Sequence, residues 1–141
     1  MIFKNVKKLL FSSLELFEKL RFTNNFYSQI EKKLHPNNKF LLLNITVAEG
    51  CGGFAYDFQT SLFSNFDNDK SDFLLLEKGT KLYFGIQKDN LAFVEGSTLD
   101  FEEDIHKSGF VVKSNPNAEL TCSCKRSFSP NNKVFDRIEK N

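Results

Sequence analysis

The chain has 141 residues, 19 of them basic and 18 acidic, with a formal net charge of +1. That length fits one domain, and so even a charge balance excludes the polycation that binds nucleic acid by counterion release. No apolar run approaches the roughly 20 residues that cross a bilayer, so a soluble protein with neither a nucleic-acid nor a membrane partner is expected.

The first fourteen residues, MIFKNVKKLLFSSL, carry Lys4, Lys7 and Lys8 before the first acid, Glu15, with Ile2, Phe3, Val6, Leu9 and Leu10 at helical spacing. This is the pattern of a basic amphipathic presequence, and residues 1–21 are expected to be a transit peptide removed before Phe22. Phe22, Phe26, Ile30 and Leu34 then recur every fourth residue, which predicts an amphipathic helix over 23–34, stopped at HPNN by Pro36 and two Asn. Beyond it the period changes. KFLLLNITV predicts a strand buried on both faces, and FAYDFQT alternates Phe54, Tyr56 and Phe58 with Ala55, Asp57 and Gln59, as a half-buried strand does. FLLLEKGTKLYFGI predicts two strands around a Lys-Gly turn; STLDFEED and SGFVVKS predict two more, the second closed by NPN. SLFSNFDNDKSD between them is polar enough for a loop. One helix followed by about six short strands predicts a mostly β fold with minor α, a compact sandwich or barrel.

The chemistry rests on three cysteines: Cys51 among three glycines in AEGCGGFAYDF, and Cys122 and Cys124 in TCSCKRSF. An odd number without a secretory signal is not a disulfide framework. Two cysteines separated by one residue can both face one soft metal, and a distant third makes a three-thiolate site. Tetrahedral iron or zinc wants four ligands, so a place is left for a second chain, a small thiol or water. Such a site is labile, which suits a carrier better than a structural metal. Gly50, Gly52 and Gly53 let backbone amides approach a thiolate without a Cβ in the way. Lys125 and Arg126 place two positive charges beside the paired thiols and favour metal capture.

Other polar groups point to no site. His35, at the end of the predicted helix beside Pro36, is expected to be a C-cap contact. His106 is expected in a solvated turn. Glu102, Glu103 and Asp104 are consecutive, so strand geometry sends them to alternate faces and a solvated rim is expected. No Ser-His-Asp set, phosphate-binding glycine motif or zincin helix is present.

LLLNITVAEGCGGFAYDF, followed by DNLAFVEGSTLDFEEDIHKSGFVVKSNPNAELTCSCKRSFS, resembles the A-type iron–sulfur carriers, the IscA/HesB-like family, and within it the mitochondrial subgroup that partners a second A-type paralogue. The resemblance covers residues 22–129 in order. It implies a HesB-like β-sandwich with an N-terminal helix, with Cys51 as loop ligand and Cys122 and Cys124 as paired ligands. It also implies iron or an iron–sulfur cluster, [2Fe–2S] or [4Fe–4S], held in a homodimer or a heterodimer with another A-type carrier. The cargo would pass to apo iron–sulfur proteins in the mitochondrial matrix, in [4Fe–4S] maturation, by ligand exchange with no catalytic residue. The chain departs from the subgroup at Ala48 and Glu49, where glycine is usual, at Gly52, where a serine is usual, and at Lys125. Residues 130–141 form an extension past the usual end. A structural zinc module and a thiol redox module are the alternatives, and the absence of C-x-x-C counts against both.

Overall fold

The computed structural model describes residues 6–47, 53–65, 72–105, 108–121 and 127–130. Helix α1 (Val6–Lys19) leads into a two-residue strand β1 (Arg21–Phe22) and helix α2 (Asn24–Gln29). Thr23 caps α2: its hydroxyl accepts from Phe26 N at 3.2 Å and donates to Asp100 Oδ1 at 2.5 Å, so one side chain satisfies a helix end and ties it to a strand. The helical winding continues with a wider, π-type turn over Ile30–Leu34 and a tighter turn over His35–Asn37. Asn38, at φ +57°, ends it in the left-handed conformation that Asn tolerates. The helix predicted over 23–34 is therefore present, with a change of winding inside it.

Strands β2 (Lys39–Val47), β3 (Phe54–Leu62), β4 (Phe73–Lys78) and β5 (Lys81–Gln87) follow the predicted segments. Gly79, at φ +65°, makes the predicted turn between β4 and β5. The sequence did not announce helix α3 (Lys88–Val94). After it come β6 (Thr98–Glu103), β7 (Ser108–Ser114), β8 (Ala118–Thr121) and β9 (Ser127–Pro130). Two sheets result: a three-stranded sheet in the order β1-β6-β7, and a six-stranded sheet in the order β4-β5-β2-β3-β9-β8. β2 runs parallel to β5 and β1 parallel to β6; the other pairings are antiparallel.

The main core is built where α1, α2 and α3 meet inward residues of both sheets. Phe26 is its hub: fully buried, with ring centroids of Phe22, Phe84 and Phe110 at 5.2, 5.9 and 5.6 Å. On the other face of the large sheet, Phe40, Leu75 and Leu82 form a second cluster. Gly85 lies between its members. A Cβ there would sit 2.8 Å from Leu42 Cδ2 and 2.9 Å from Leu75 Cδ2, so the missing side chain lets the two leucines close over the strand.

His35 is buried, and its Nε2 lies 2.9 Å from the Leu82 carbonyl with the Tyr83 ring at 4.5 Å. It thus joins the helical segment to β5, where a C-cap contact had been expected. Glu103 and Asp104 are exposed, as expected of a rim; Asp104 Oδ1 accepts from the next backbone amide, Ile105 N, at 2.6 Å.

α1 is built into this unit. Leu16 and Leu20 are 0% and 2% exposed and belong to the main core. Ser13 is buried, and its Oγ accepts from Glu77 N at 2.9 Å and donates to the Leu75 carbonyl at 3.1 Å. Those two groups are the outward-facing donor and acceptor of edge strand β4, so one hydroxyl takes the place of a neighbouring strand. The end of the helix is held too, since Gly96 N donates to the Lys19 carbonyl at 2.6 Å and Arg21 N to the Ser97 carbonyl at 2.9 Å. Ser13→Ala is expected to cost about 1–3 kcal/mol, because a buried amide and carbonyl both lose their partner, as read from urea unfolding. A chain begun at Phe22 is expected to self-associate through the uncovered β4 edge in size-exclusion chromatography. A monodisperse, equally stable truncated chain would contradict this role for α1.

Candidate iron–sulfur site

Cys51, Cys122 and Cys124 lie outside the described residues, as does His106. The strands that flank the three cysteines are described, and they meet. Val47 and Phe54 form the last pair of the β2–β3 ladder, so the connection holding Cys51 starts and ends at that pair. Phe54 is paired on its other side with Phe128 of β9, and Phe128 is paired in turn with Thr121 of β8. Thr121 directly precedes Cys122, and Phe54 follows Cys51 by three residues. Phe54, Phe128 and Thr121 therefore make one rung across three strands, spanning roughly 10 Å at the usual interstrand spacing. Both cysteine-bearing segments are anchored within a few residues of it.

The rung is packed by aromatic side chains. Phe128 is 2% exposed and stacks on Tyr56, with centroids 4.6 Å apart and planes at 11°; Phe54 packs on Phe93 of α3 at 4.9 Å. The alternation of Phe54 and Tyr56 seen in the sequence thus places two rings of β3 under β9, and each such pair contributes about 0.5–1.5 kcal/mol beyond its buried area.

Behind the rings lies a polar cluster. Asn115 Nδ2 donates to Tyr56 Oη at 2.8 Å and to the Phe93 carbonyl at 2.9 Å, while its Oδ1 accepts from Asn117 N and Nδ2, both at 3.0 Å. Asn117, 2% exposed, also donates from Nδ2 to the Glu95 carbonyl at 2.7 Å. The NPN turn therefore satisfies carbonyls at the end of α3, where the chain has no helical partners for them. Gly96, at φ +84°, completes the fit, since a Cβ there would lie 3.0 Å from Pro116 Cγ. Composition marked NPN as a turn; its contacts with Tyr56 and α3 are tertiary and carry no local signal. Burial pushes the Tyr56 phenol up to about 12, with the Asn115 hydrogen bond acting weakly the other way.

No protein-family model matches the chain. Over 97 residues, 69% of this chain and 58% of theirs, it is 34% identical to the mitochondrial proteins of Homo sapiens and Mus musculus named iron–sulfur cluster assembly 2 homolog. Over 116 residues, 78% of this chain and 92% of the relative, it is 34% identical to the iron–sulfur cluster insertion protein ErpA of Sodalis glossinidius. The chain belongs to the A-type iron–sulfur carrier family. Its fold is that of the family: the structure of IscA with its [2Fe–2S] cluster matches with a TM-score of 0.61 at 22% identity, covering 79% of this chain and 98% of that one. Escherichia coli SufA matches with a TM-score of 0.54 at 24% identity, over 79% of this chain and 92% of that one. This A-type chain spans only 58% of the length of the mitochondrial relatives. The expected mostly β, HesB-like architecture is thus present, with three helices among the described residues where one was expected.

The raised phenol of Tyr56 gives a pH dependence with a definite sign. In the unfolded chain it releases its proton near 10, and in the folded protein it holds it to about 12. Its contribution is fully present below pH 10 and is lost as pH rises toward 12, because unfolding then releases a proton. The stability margin of the native protein over Tyr56→Phe is expected to shrink between pH 9 and pH 11 in urea unfolding; a margin that grows would contradict the burial of this hydroxyl.

Proposed function

We propose that this protein is an iron–sulfur cluster carrier, which holds iron or a [2Fe–2S] or [4Fe–4S] cluster through Cys51, Cys122 and Cys124 and passes it to apo-proteins. The observation that carries the reading is the shared rung, on which the ordered flanks of both cysteine-bearing segments meet. Support comes also from the names of the relatives, which assemble or insert iron–sulfur clusters, and from the cluster in IscA. The donor set suits the cargo: thiolates are the ligands iron–sulfur clusters take.

Three thiolates are one short of the four terminal ligands that either cluster needs, so the holding unit is a pair of A-type chains, two copies of this one or this chain with a paralogue. Six thiolates then leave some to spare. An incoming acceptor thiolate replaces one bond at a time, and the cargo moves by ligand exchange without a substrate turned over; the protein is not an enzyme in this reading. A role in [4Fe–4S] maturation fits the same chemistry.

The site of action we propose is the mitochondrial matrix, on the strength of the mitochondrial relatives and the basic amphipathic start. Residues 12–20 are part of the folded unit, so a leader cut upstream of Ser12 keeps the β4 edge covered, whereas a cut before Phe22 strips it. N-terminal sequencing of the mature protein decides between the two.

Anaerobic reconstitution with iron and sulfide, followed by native mass spectrometry, tests the carrier reading. One cluster per two chains is expected, with the visible thiolate-to-iron absorption abolished by replacing any one of the three cysteines with Ser. A monomer holding an intact cluster without added thiol, or full loading of Cys51→Ser, would refute it.

A further inference from the structure

The β8–β9 pair, which brackets Cys122 and Cys124, is attached to the rest of the sheet by a short ladder. Among the described residues β9 pairs with β3 at only two positions, Phe54 with Phe128 and Ala55 with Ser127, whereas β2 pairs with β3 along the whole of its length. Phe128, though buried, belongs to neither hydrophobic cluster; the rings it packs on are Phe54 and Tyr56. A ladder this short does not by itself fix where a strand pair sits. The Tyr56 ring makes the closer of the two aromatic contacts on Phe128, at 4.6 Å against 6.2 Å for Phe54.

The Tyr56 ring is in turn held at its far end. Asn115 donates to its hydroxyl and, with the other N–H of the same amide, to the Phe93 carbonyl at the end of α3. Asn117 keeps the Asn115 amide from rotating, because it donates twice to Oδ1 and is itself bonded to the Glu95 carbonyl. A continuous chain of contacts therefore runs from α3 through Asn115 and Tyr56 to Phe128, and ends on the strands that flank the cysteines.

We propose that Asn115 and Tyr56 are positioning residues for the cargo thiolates: through Phe128 they hold the β8–β9 pair, which brackets Cys122 and Cys124, in register beside the strand that follows Cys51, and so set how long the cargo is retained. This rests on the carrier reading and adds to it the part of the fold that governs release. The amide is the suitable group. It satisfies a carbonyl, a hydroxyl and two donors at once, and none of these partners is charged, so the tether itself adds no charge to this end of the sheet.

Two variants test it. Asn115→Ala removes both donors, and Tyr56→Phe keeps the ring stack while removing only the hydroxyl. In the apo-protein, hydrogen exchange followed by NMR is expected to show the Phe128 amide exchanging about tenfold faster in Asn115→Ala and a few-fold faster in Tyr56→Phe, the size that loss of about one hydrogen bond gives. The amides of Leu41 and Leu43 in β2 should keep their native rates. In the reconstituted protein, loss of visible absorbance to an iron chelator should quicken in the same order. Native exchange at Phe128 with native cargo lifetime in both variants overturns the proposal. So does faster exchange spread evenly over β2 and β9, which marks general destabilisation. A native protein that takes up no iron and sulfide overturns the carrier reading instead, and the exchange arm still reports whether the tether holds the strand pair.

Discussion

The pairing of Phe128 with Phe54 on one side and Thr121 on the other is the constraint on which the rest depends. Among the described residues it is where the segment after Cys51 and the segment before Cys122 share a neighbour, although Phe54 and Thr121 stand 67 positions apart in the chain. The pairing joins strands that the intervening β4–β7 and α3 do not themselves bring together in sequence. The aromatic packing of Phe54, Tyr56 and Phe128, the amide bonds of Asn115 and Asn117, and the fit of Gly96 against Pro116 add their contacts to it. The carrier function proposed above requires that cargo be both held and given up, and a strand pair secured at few points beside the cysteine-bearing segment suits the two demands.

The two borders of the large sheet are treated differently. β4, at one border, carries three consecutive buried leucines and would be a template for strand addition; Ser13 occupies its outward donor and acceptor, and Leu16 of α1 shares the main core with Leu74 and Leu76. β8 lies at the opposite border and leads directly into Cys122. Protection against strand addition is thus placed at the border of the sheet opposite the one that leads into Cys122.

Much of the fold could be read from the sequence because its signals are local. The four-residue spacing of Phe22, Phe26, Ile30 and Leu34 gives the α2 segment, the alternation of Phe54, Tyr56 and Phe58 gives β3, and Lys-Gly gives the β4–β5 turn. What escaped is what depends on distant partners. α3 spans seven residues, too few to show a helical period, and owes its place to Leu91 and Val94 entering the core. β1 exists only as a parallel partner of Thr98 and Leu99. β8 and β9 are four residues each, interrupted by the cysteines that drew attention to metal chemistry instead. The basic amphipathic stretch at the start reads alike whether it is destined for an import receptor or for the edge of β4, and only the buried pair of Ser13 bonds tells the second use apart. The family was legible, and the three cysteines proposed as ligands lie outside the described residues; the rung, the Tyr56 stack and the asparagine cluster were not legible, since each joins groups far apart in the chain.

The proposed carrier function requires that Cys51 and the Cys122–Cys124 pair come to one place before any cargo arrives. The most direct measurement is crosslinking of the reduced apo-protein with a short thiol-specific bifunctional reagent, with the linked peptides identified by mass spectrometry. The account predicts peptides joining Cys51 to Cys122 or Cys124 as a main product. Products confined to Cys122 joined with Cys124, with Cys51 modified only singly, would contradict it.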